Sequence, residues 1–434
     1  MSHTSIPITR TLPVRDQVDL VVVGAGMGGI GAACAAARAG LRVVLVERAA
    51  LLGGNATLGG VGNWCYCGPL AGQGAVFADV LALQRQLGSI DPEHGWPMRI
   101  NQELGRENHL FDTHVLPLVL QHLCERDGVT LCLHTDLVDV VRDGRRITAV
   151  VIHDRSGLAA LRCRAVVDAS GDGLVAQRAG CGVLDVADRS HPDLLAPSLM
   201  VYLRRVAAGA PQQLLADAAT TDPRPCPRYS VWPEPHDRIG LKTKWEEWHF
   251  DCGSGPGLTQ AETTTRRLVP AVVRAYQQQH GDNWILDHVA PILGLREGRR
   301  IRGEHVLTVD EVRAGARFED AVAFGAFTID SAAVNERVPP YQIPLRSLIA
   351  SGLDNLLLAG RCISADRLAM ASARVMATCC MEGTAAGIAV AQSLAAGLEP
   401  CAADPAAIRA ALIAAAPVGD HELMQERLAT GVMP

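Results

Sequence analysis

The chain has 434 residues, 48% of them hydrophobic and 20% charged, with 42 glycines but only 4% aromatics. At about 150 residues per domain this length predicts two or three lobes, and the composition excludes a disordered chain. Forty basic against 46 acidic residues leave a net charge of −6, which offers no bulk attraction to nucleic acid. Residues 1–15 carry Pro7 and Pro13 and no apolar stretch of the signal-peptide kind. No apolar run of about 18 residues predicts a membrane span. Thirteen cysteines without a CxxC pair fit a reducing cytoplasm and predict no metal or iron–sulfur centre of the usual spacing.

The strongest pattern comes early. Residues 19–23, Asp-Leu-Val-Val-Val, read as a strand buried on both faces. Gly24-Ala25-Gly26-Met27-Gly28-Gly29 follows at once and satisfies GxGxxG; residues 30–39 read as an Ala-rich helix ending at Gly40. A second strand over residues 41–46 ends in Glu47. Gly24 makes the tight turn, Gly26 lets the backbone approach a pyrophosphate, and Gly29 lets helix and strand pack closely. The helix start offers free N–H groups and a partial positive charge to phosphates. Glu47 stands 18 residues beyond Gly29, where a carboxylate accepts from both ribose hydroxyls and disfavours a 2′-phosphate. A glycine turn between unrelated elements is the plain alternative, and the order strand, turn, helix, strand, acid argues against it.

A second glycine cluster, Gly53-Gly54-Asn55-Ala56-Thr57, follows Glu47-Arg48 closely. A nicotinamide dinucleotide has no need of it, whereas a flavin requires backbone close to its ribityl chain and ring. Residues 129–152 read as short strands with a hairpin turn at Asp143-Gly144; Val138, within that segment, is placed with Arg48 at the nucleotide. Residues 165–168 form another apolar strand ending in Ala169-Ser170-Gly171-Asp172-Gly173, a second place for backbone to touch the cofactor. Gly253-Ser254-Gly255-Pro256-Gly257 follows no apolar strand and reads as a loop.

These motifs resemble the FAD-dependent oxidoreductases of the glutathione-reductase structural type. More closely, they resemble the bacterial group related to fumarate reductase flavoproteins and to the flavin subunit of heterodisulfide reductase. Further blocks carry the likeness: Phe111-Asp112 before a helix, the run 295–304, the run 341–348, and Asn355 to Ser364 continuing through residues 371–378. The resemblance implies an α/β fold in which a Rossmann-like FAD-binding domain receives an inserted α+β substrate or cap domain, with FAD as cofactor. The implied division is 17–185 and 341–400 for the FAD-binding domain, 186–340 for the cap, and 401–434 for a helical tail. Residues 355–359 then form a buried strand that exits at Gly360-Arg361, and residues 371–398 form a helix whose start, near Met376, faces the flavin pyrimidine. An ordinary packing helix is the alternative. Aromatic hydroxylases carry Gly-Asp where this chain has Gly360-Arg361, which disfavours hydroxylation. The run Ser364-Ala365-Asp366-Arg367 has Arg where the closer group commonly has His, so an imidazole role there is not carried over.

For the chemistry, Arg296 or Arg299 near the flavin would hold a carboxylate; the alternative is a strand over residues 300–303 with a solvated, ion-paired charged face. Arg367 joins Arg296 as a substrate contact. Cys65-Tyr66-Cys67 reads as unpaired thiols, because i and i+2 in a strand sit at the edge of disulfide reach, and Cys379-Cys380 as helix packing. The middle of the chain concentrates Trp232, Trp245, Trp248 and Trp284, and His249 is the candidate base over the flavin. The reading is an FAD-dependent dehydrogenase or oxidase passing a hydride from a small organic substrate to flavin N5. Electron acceptor and self-association stay open. A flavin-dependent RNA-modifying enzyme and an electron-transfer subunit are the alternatives; the negative charge weighs against the first and the lack of clustered cysteines against the second.

Overall fold

In a computed structural model, described over residues 9–67, 73–91, 106–184, 195–207, 228–234, 237–245, 250–331 and 334–430, the β-branched run near the amino terminus becomes a central strand. This strand, β1 (Val14–Val23), starts exposed and is fully buried by its end. It pairs in parallel with β2 (Val43–Val46), Leu20 opposite Val43, and with the strand Gly157–Asp168, Val23 opposite Asp168. Thr130–Cys132 extends this parallel sheet beyond β2, and Leu356–Leu358 adds to Gly157–Asp168. The hairpin Asp136–Asp143 and Arg146–Asp154 joins antiparallel at the far edge. Parallel neighbours require crossover connections, and helix α1 (Met27–Arg38) supplies the one between β1 and β2.

The expected helix over residues 371–398 is two helices. Arg367–Ala373 is capped by the Asp366 carboxylate, which accepts from the Ala369 N–H. Val375 then adopts an extended conformation, and Met376–Ala395 starts afresh. Its glycines meet α1 rather than the sheet. A Cβ on Gly383 would lie 1.8 Å from the Gly28 carbonyl oxygen, and one on Gly387 2.4 Å from that of Ala32. The two backbones touch, which the small-residue composition of both helices makes possible.

The sheet and these helices form the first core, with Leu20, Val22, Ile30, Leu45, Val166, Leu357 and Ala385 among its buried members. A second core lies in an antiparallel sheet ordered Arg228–Glu234, Arg238–Lys244, Met200–Arg205, Trp284–Val289. The helices Gly255–Arg267 and Val269–His280 contribute to it, through Ala261, Val272 and Val273 against Val201, Leu203 and Leu241. The expected 186–340 unit is divided between the cores: the second draws its members from Ala196 to Leu295, whereas Leu195, Ile301, Leu307, Val322 and Phe324 pack in the first.

Two sequence expectations give way here. Gly253 to Gly257 is not a loop: Ser254 Oγ accepts from the Gly257 N–H and caps Gly255–Arg267, with proline in the first turn, where its missing N–H costs nothing. The charged-face strand shrinks to Arg300–Ile301, paired with Val183–Leu184, and Arg300 is buried. The tail helices Pro405–Ala415 and His421–Leu428 bury Leu412, Met424 and Leu428 in the first core. No helix among the described residues is long and apolar enough to cross a membrane.

Candidate active site

Four parallel strands deliver their carboxyl ends to one cleft: Val23 leads to Gly24, Val46 to Glu47, Asp168 to Ala169 and Leu358 to Ala359, and each of these successors lines it. Open α/β sheets bind ligands at this position. The cleft volume is about 220 Å³.

Its floor is main chain. Gly24 has φ +97°, and a Cβ there would stand 2.5 Å from the Ala169 carbonyl oxygen. At Gly26 the opposite holds: nothing lies within 4 Å of where a Cβ would be, so the chain leaves an open cradle at the start of α1. No side chain caps that helix end, which leaves its first-turn N–H groups for a ligand. The second glycine cluster joins the first. The Gly53 N–H donates to the Ala25 carbonyl at 2.8 Å, and Gly54 packs on Gly26.

Two carboxylates hold the floor in shape. Glu47 accepts from the Ala25 N–H at 2.8 Å and the Ala49 N–H at 2.9 Å while lining the cleft. Asp168 accepts from the Ser170 N–H and hydroxyl and from the Ala176 N–H, fixing the turn that follows; burial pushes its carboxyl up against the pull of those bonds. Glu382, which the sequence gave no reason to single out, is fully buried and accepts from the Gly360 N–H at 2.9 Å. Burial holds it well above the usual carboxylate range.

Of the residues expected at the cofactor, Gly24, Gly26, Gly28, Glu47, Arg48, Gly53, Gly54, Asn55, Ser170, Gly171, Asp172, Gly360, Arg361 and Met376 line the cleft. Ala25, Gly29, Ala56 and Thr57 stand behind it. A Cβ on Gly29 would strike the Gly24 carbonyl oxygen at 1.8 Å, so this glycine serves the turn itself, and the Thr57 hydroxyl donates to the Leu52 carbonyl. Val138 is not among the lining residues. It is 36% exposed on the edge strand Asp136–Asp143, where its side chain points to solvent. Arg361 reaches the carbonyls of Gly171 and Leu295, tying one wall to the other.

The catalytic candidates fare differently. Arg296 donates to Asp330 at 2.7 Å, and Arg299 to the Gly253 carbonyl. Arg367 is not a cleft residue: its guanidinium pairs with Glu297 at 2.8 Å, both side chains under a tenth exposed, because the Arg367–Ala373 helix is buried along nearly its whole length. His249, Trp248 and the side chain of Cys67 lie outside the described residues. Cys65 is partly buried in the strand Asn63–Cys67. Cys379 does line the cleft, where burial raises its thiol well above the ordinary range, the direction opposite to thiolate activation.

The opposite wall comes from the helix Gly255–Arg267, through Leu258 and Glu262, and from Ile292, Leu293 and Leu295, which follow the last strand of the second sheet. Lys242 pairs with Met200 and Ser230, and Gly240 with Tyr202 and Trp232, so alternation sets Lys242, Ser230, Tyr202, Trp232 and Glu234 on one face. That face meets the segment just after the second glycine cluster: the Tyr202 hydroxyl donates to the Gly60 carbonyl. His288 stacks on Tyr202 with ring centroids 4.2 Å apart, and burial lowers its pKa. Burial raises Glu234 to about 8, with Asp112 adding and Arg238 opposing. Lys242 lies 5.4 Å from the Trp232 ring centroid; burial lowers it to about 7, assisted by Arg296 and Arg374 and opposed by Asp330. Sequence reasoning missed Lys242, Tyr202, Glu234 and Asp330. For Lys242, Tyr202 and Glu234 the signal was present as polar residues alternating with Val201, Leu203, Val231, Ile239 and Leu241, whereas Asp330, in the short strand Ile329–Asp330, carried no such pattern.

A model of the family described as FAD dependent oxidoreductase matches residues 19–412. Among curated proteins, hydroxyneurosporene desaturase of Rhodobacter capsulatus is 56% identical over 43 residues, 10% of this chain and 9% of that protein. The 4-oxocyclohexanecarboxylate 2-dehydrogenase of Sinomonas cyclohexanicum is 48% identical over 50 residues, 12% of this chain and 9% of that protein. The aligned stretches thus span under a tenth of each curated relative. Among solved structures, a geranylgeranyl bacteriochlorophyll reductase-like protein of Thermoplasma acidophilum is 12% identical with a TM-score of 0.49, covering 95% of this chain and 84% of that one. The p-nitrophenol 4-monooxygenase of Pseudomonas putida is 12% identical with a TM-score of 0.42, covering 88% and 80%.

Proposed function

The chain belongs to the FAD-dependent oxidoreductase family, and we propose that it is a dehydrogenase or oxidase that takes a hydride from a small organic molecule. We further assign it the glutathione-reductase type of FAD domain, built from 17–185 and 341–400, with 186–340 as the inserted cap, whose last part, from Ile301 on, packs back on the first core, and 401–434 as a helical tail.

The residues of the cleft fit FAD. The open cradle at Gly26 and the uncapped start of α1 would hold the pyrophosphate. Glu47, its carboxylate oriented by two backbone N–H groups, would accept from the ribose. Gly53, Gly54 and Asn55 would follow the ribityl chain. The helix Met376–Ala395 also starts without a side-chain cap, and Met376 lines the cleft, so its dipole would favour negative charge on the flavin pyrimidine. Bound FAD supplies the hydride acceptor, N5 of its flavin. Arg361 would keep the Gly171 turn and Leu295 in register around the ring. Glu234, carrying its proton at neutral pH, and Tyr202 would exclude water from the substrate side.

The observation that carries this reading is the meeting of both glycine clusters with the ends of four parallel strands in one cleft. Anaerobic mixing of the purified holoprotein with a panel of alcohols, amines, hydroxy acids and saturated carboxylic acids tests it. One chemical class should bleach the oxidised flavin bands. Reduction by NADH or NADPH alone, with oxygen consumption tied to hydroxylation of an added substrate, would overturn it in favour of a monooxygenase.

A further inference from the structure

We propose that residues 290–299 form a strap that closes over bound FAD, its catch being the Leu295 carbonyl held by Asn55 and Arg361. This rests on the reading of the cleft as the FAD site and adds how the cofactor is admitted and kept there.

The segment runs from the end of the strand Trp284–Val289 to Arg300–Ile301 with no helix or strand of its own, apart from one isolated bridge between Gly294 and Ser198. Ile292, Leu293 and Leu295 line the cleft. The first part of the strap is tied to the second unit. Gly294 and Ser198 exchange main-chain bonds of 2.8 and 3.0 Å, Glu262 accepts from the Leu293 N–H at 2.9 Å, and Arg266 donates to the Pro291 carbonyl at 2.6 Å. After Arg296 the chain is fixed again. Glu297 pairs with buried Arg367, and a Cβ on Gly298 would stand 2.5 Å from the Gly171 carbonyl oxygen.

Between these anchors the strap meets the cofactor lobe through separate hydrogen bonds. The Ile292 N–H donates to the Leu58 carbonyl at 3.2 Å. The Leu295 carbonyl accepts from Asn55 Nδ2 at 2.8 Å and from Arg361. Asn55 belongs to the second glycine cluster and Arg361 to the turn after Leu356–Leu358, and both line the cleft. One carbonyl thus joins two separate loops of the cleft, and a cofactor lying between those loops leaves only when the carbonyl lets go. A segment held by separate bonds, outside any sheet or helix, opens locally at lower cost than a packed strand, which suits a strap that admits and retains a ligand. Asn55 and Arg361 are positioning residues in this account, because the catch joins protein to protein. Loosening it favours opening equally with the cleft empty or filled, so the rates change and the equilibrium does not.

The probe is FAD itself. Flavin content is measured first, so a preparation that neither contains nor takes up FAD overturns the parent reading, and the strap with it. Uptake by the apoprotein is then followed through FAD fluorescence, and release by chasing labelled FAD with unlabelled FAD. In the wild type the uptake rate should level off as FAD concentration rises, at the rate of opening. Asn55→Leu, close in size but without a donor, should raise uptake and release alike by about 3- to 10-fold, with Kd changed by less than about twofold. Arg361→Lys, which keeps the charge and loses the fork, should do the same to a smaller degree. Faster release with unchanged uptake would show that Asn55 holds FAD directly and would overturn the strap. Unchanged rates in both variants, or wild-type uptake in strict proportion to FAD throughout, would overturn it as well.

Discussion

On one side of the cleft Gly24, Gly26 and Gly54 present main chain; on the other Leu258, Glu262, Leu293 and Arg374 present side chains, with the second sheet, which carries Trp232 and Lys242, in the same unit. The first wall follows from local sequence, since strand, turn, helix and acid are neighbours in the chain and their roles need only backbone geometry. The second wall exists only after four strands drawn from residues 200–289 have paired. In the proposed function the first kind of wall would hold the cofactor, and the second would meet the substrate. Within this chain, low aromatic content marks the cofactor lobe, while Trp232, Trp245 and Tyr202 are buried in the second core.

The largest effect expected from disturbing the backbone-built lobe is at the contact between α1 and the Met376–Ala395 helix. Gly383→Ala places a Cβ 1.8 Å from the Gly28 carbonyl oxygen, in a helix that cannot yield without moving the cleft floor. It should cost at least about 3 kcal/mol of stability, the scale of severe overpacking, read by denaturant unfolding. An effect below about 1 kcal/mol would show that the two helices do not touch through backbone.

The side-chain-built lobe should respond to pH instead. Glu234 is raised to about 8 by burial, and its buried Oε1 has no hydrogen-bond partner. An acid whose folded pKa lies above its unfolded value binds more protons when folded, so its contribution to stability falls as pH rises from about 4.5 towards 8. Glu234→Gln should remove on the order of 2 kcal/mol of that decline, measured as unfolding free energy at pH 5 and pH 8. A decline of unchanged size in the variant would place the responsible group elsewhere.

The unit from β1 to Glu47 was legible because each part is specified by its neighbours: β-branched residues for the strand, glycines for the turn, alanines for the helix. The second glycine cluster was legible for the same reason, and its contact with the first, Gly53 to Ala25, appears only in the fold. Arg367 looked like a substrate contact by its place in a motif, whereas Glu297, seventy residues earlier, claims it. The break at Val375 has no proline or glycine to announce it; the pairing of Arg374 with Asp330 across the chain accompanies it. Ser254 was hidden among glycines that suggest a loop, although serine before proline and a polar first turn is a helix start. Lys242 carried no motif at all. Its meaning comes from the strands beside it.

The most direct test of this division is a titration of the apoprotein with FAD, followed through the flavin signal, for wild type and Glu47→Ala. Loss of one charge-assisted hydrogen bond to the cofactor is expected to weaken FAD by about 1.5–3 kcal/mol, roughly 10- to 150-fold in Kd. Glu47→Gln, which keeps one acceptor for the backbone N–H groups, should lose less. An unchanged Kd in Glu47→Ala would contradict the assignment of the glycine-built wall to the nucleotide.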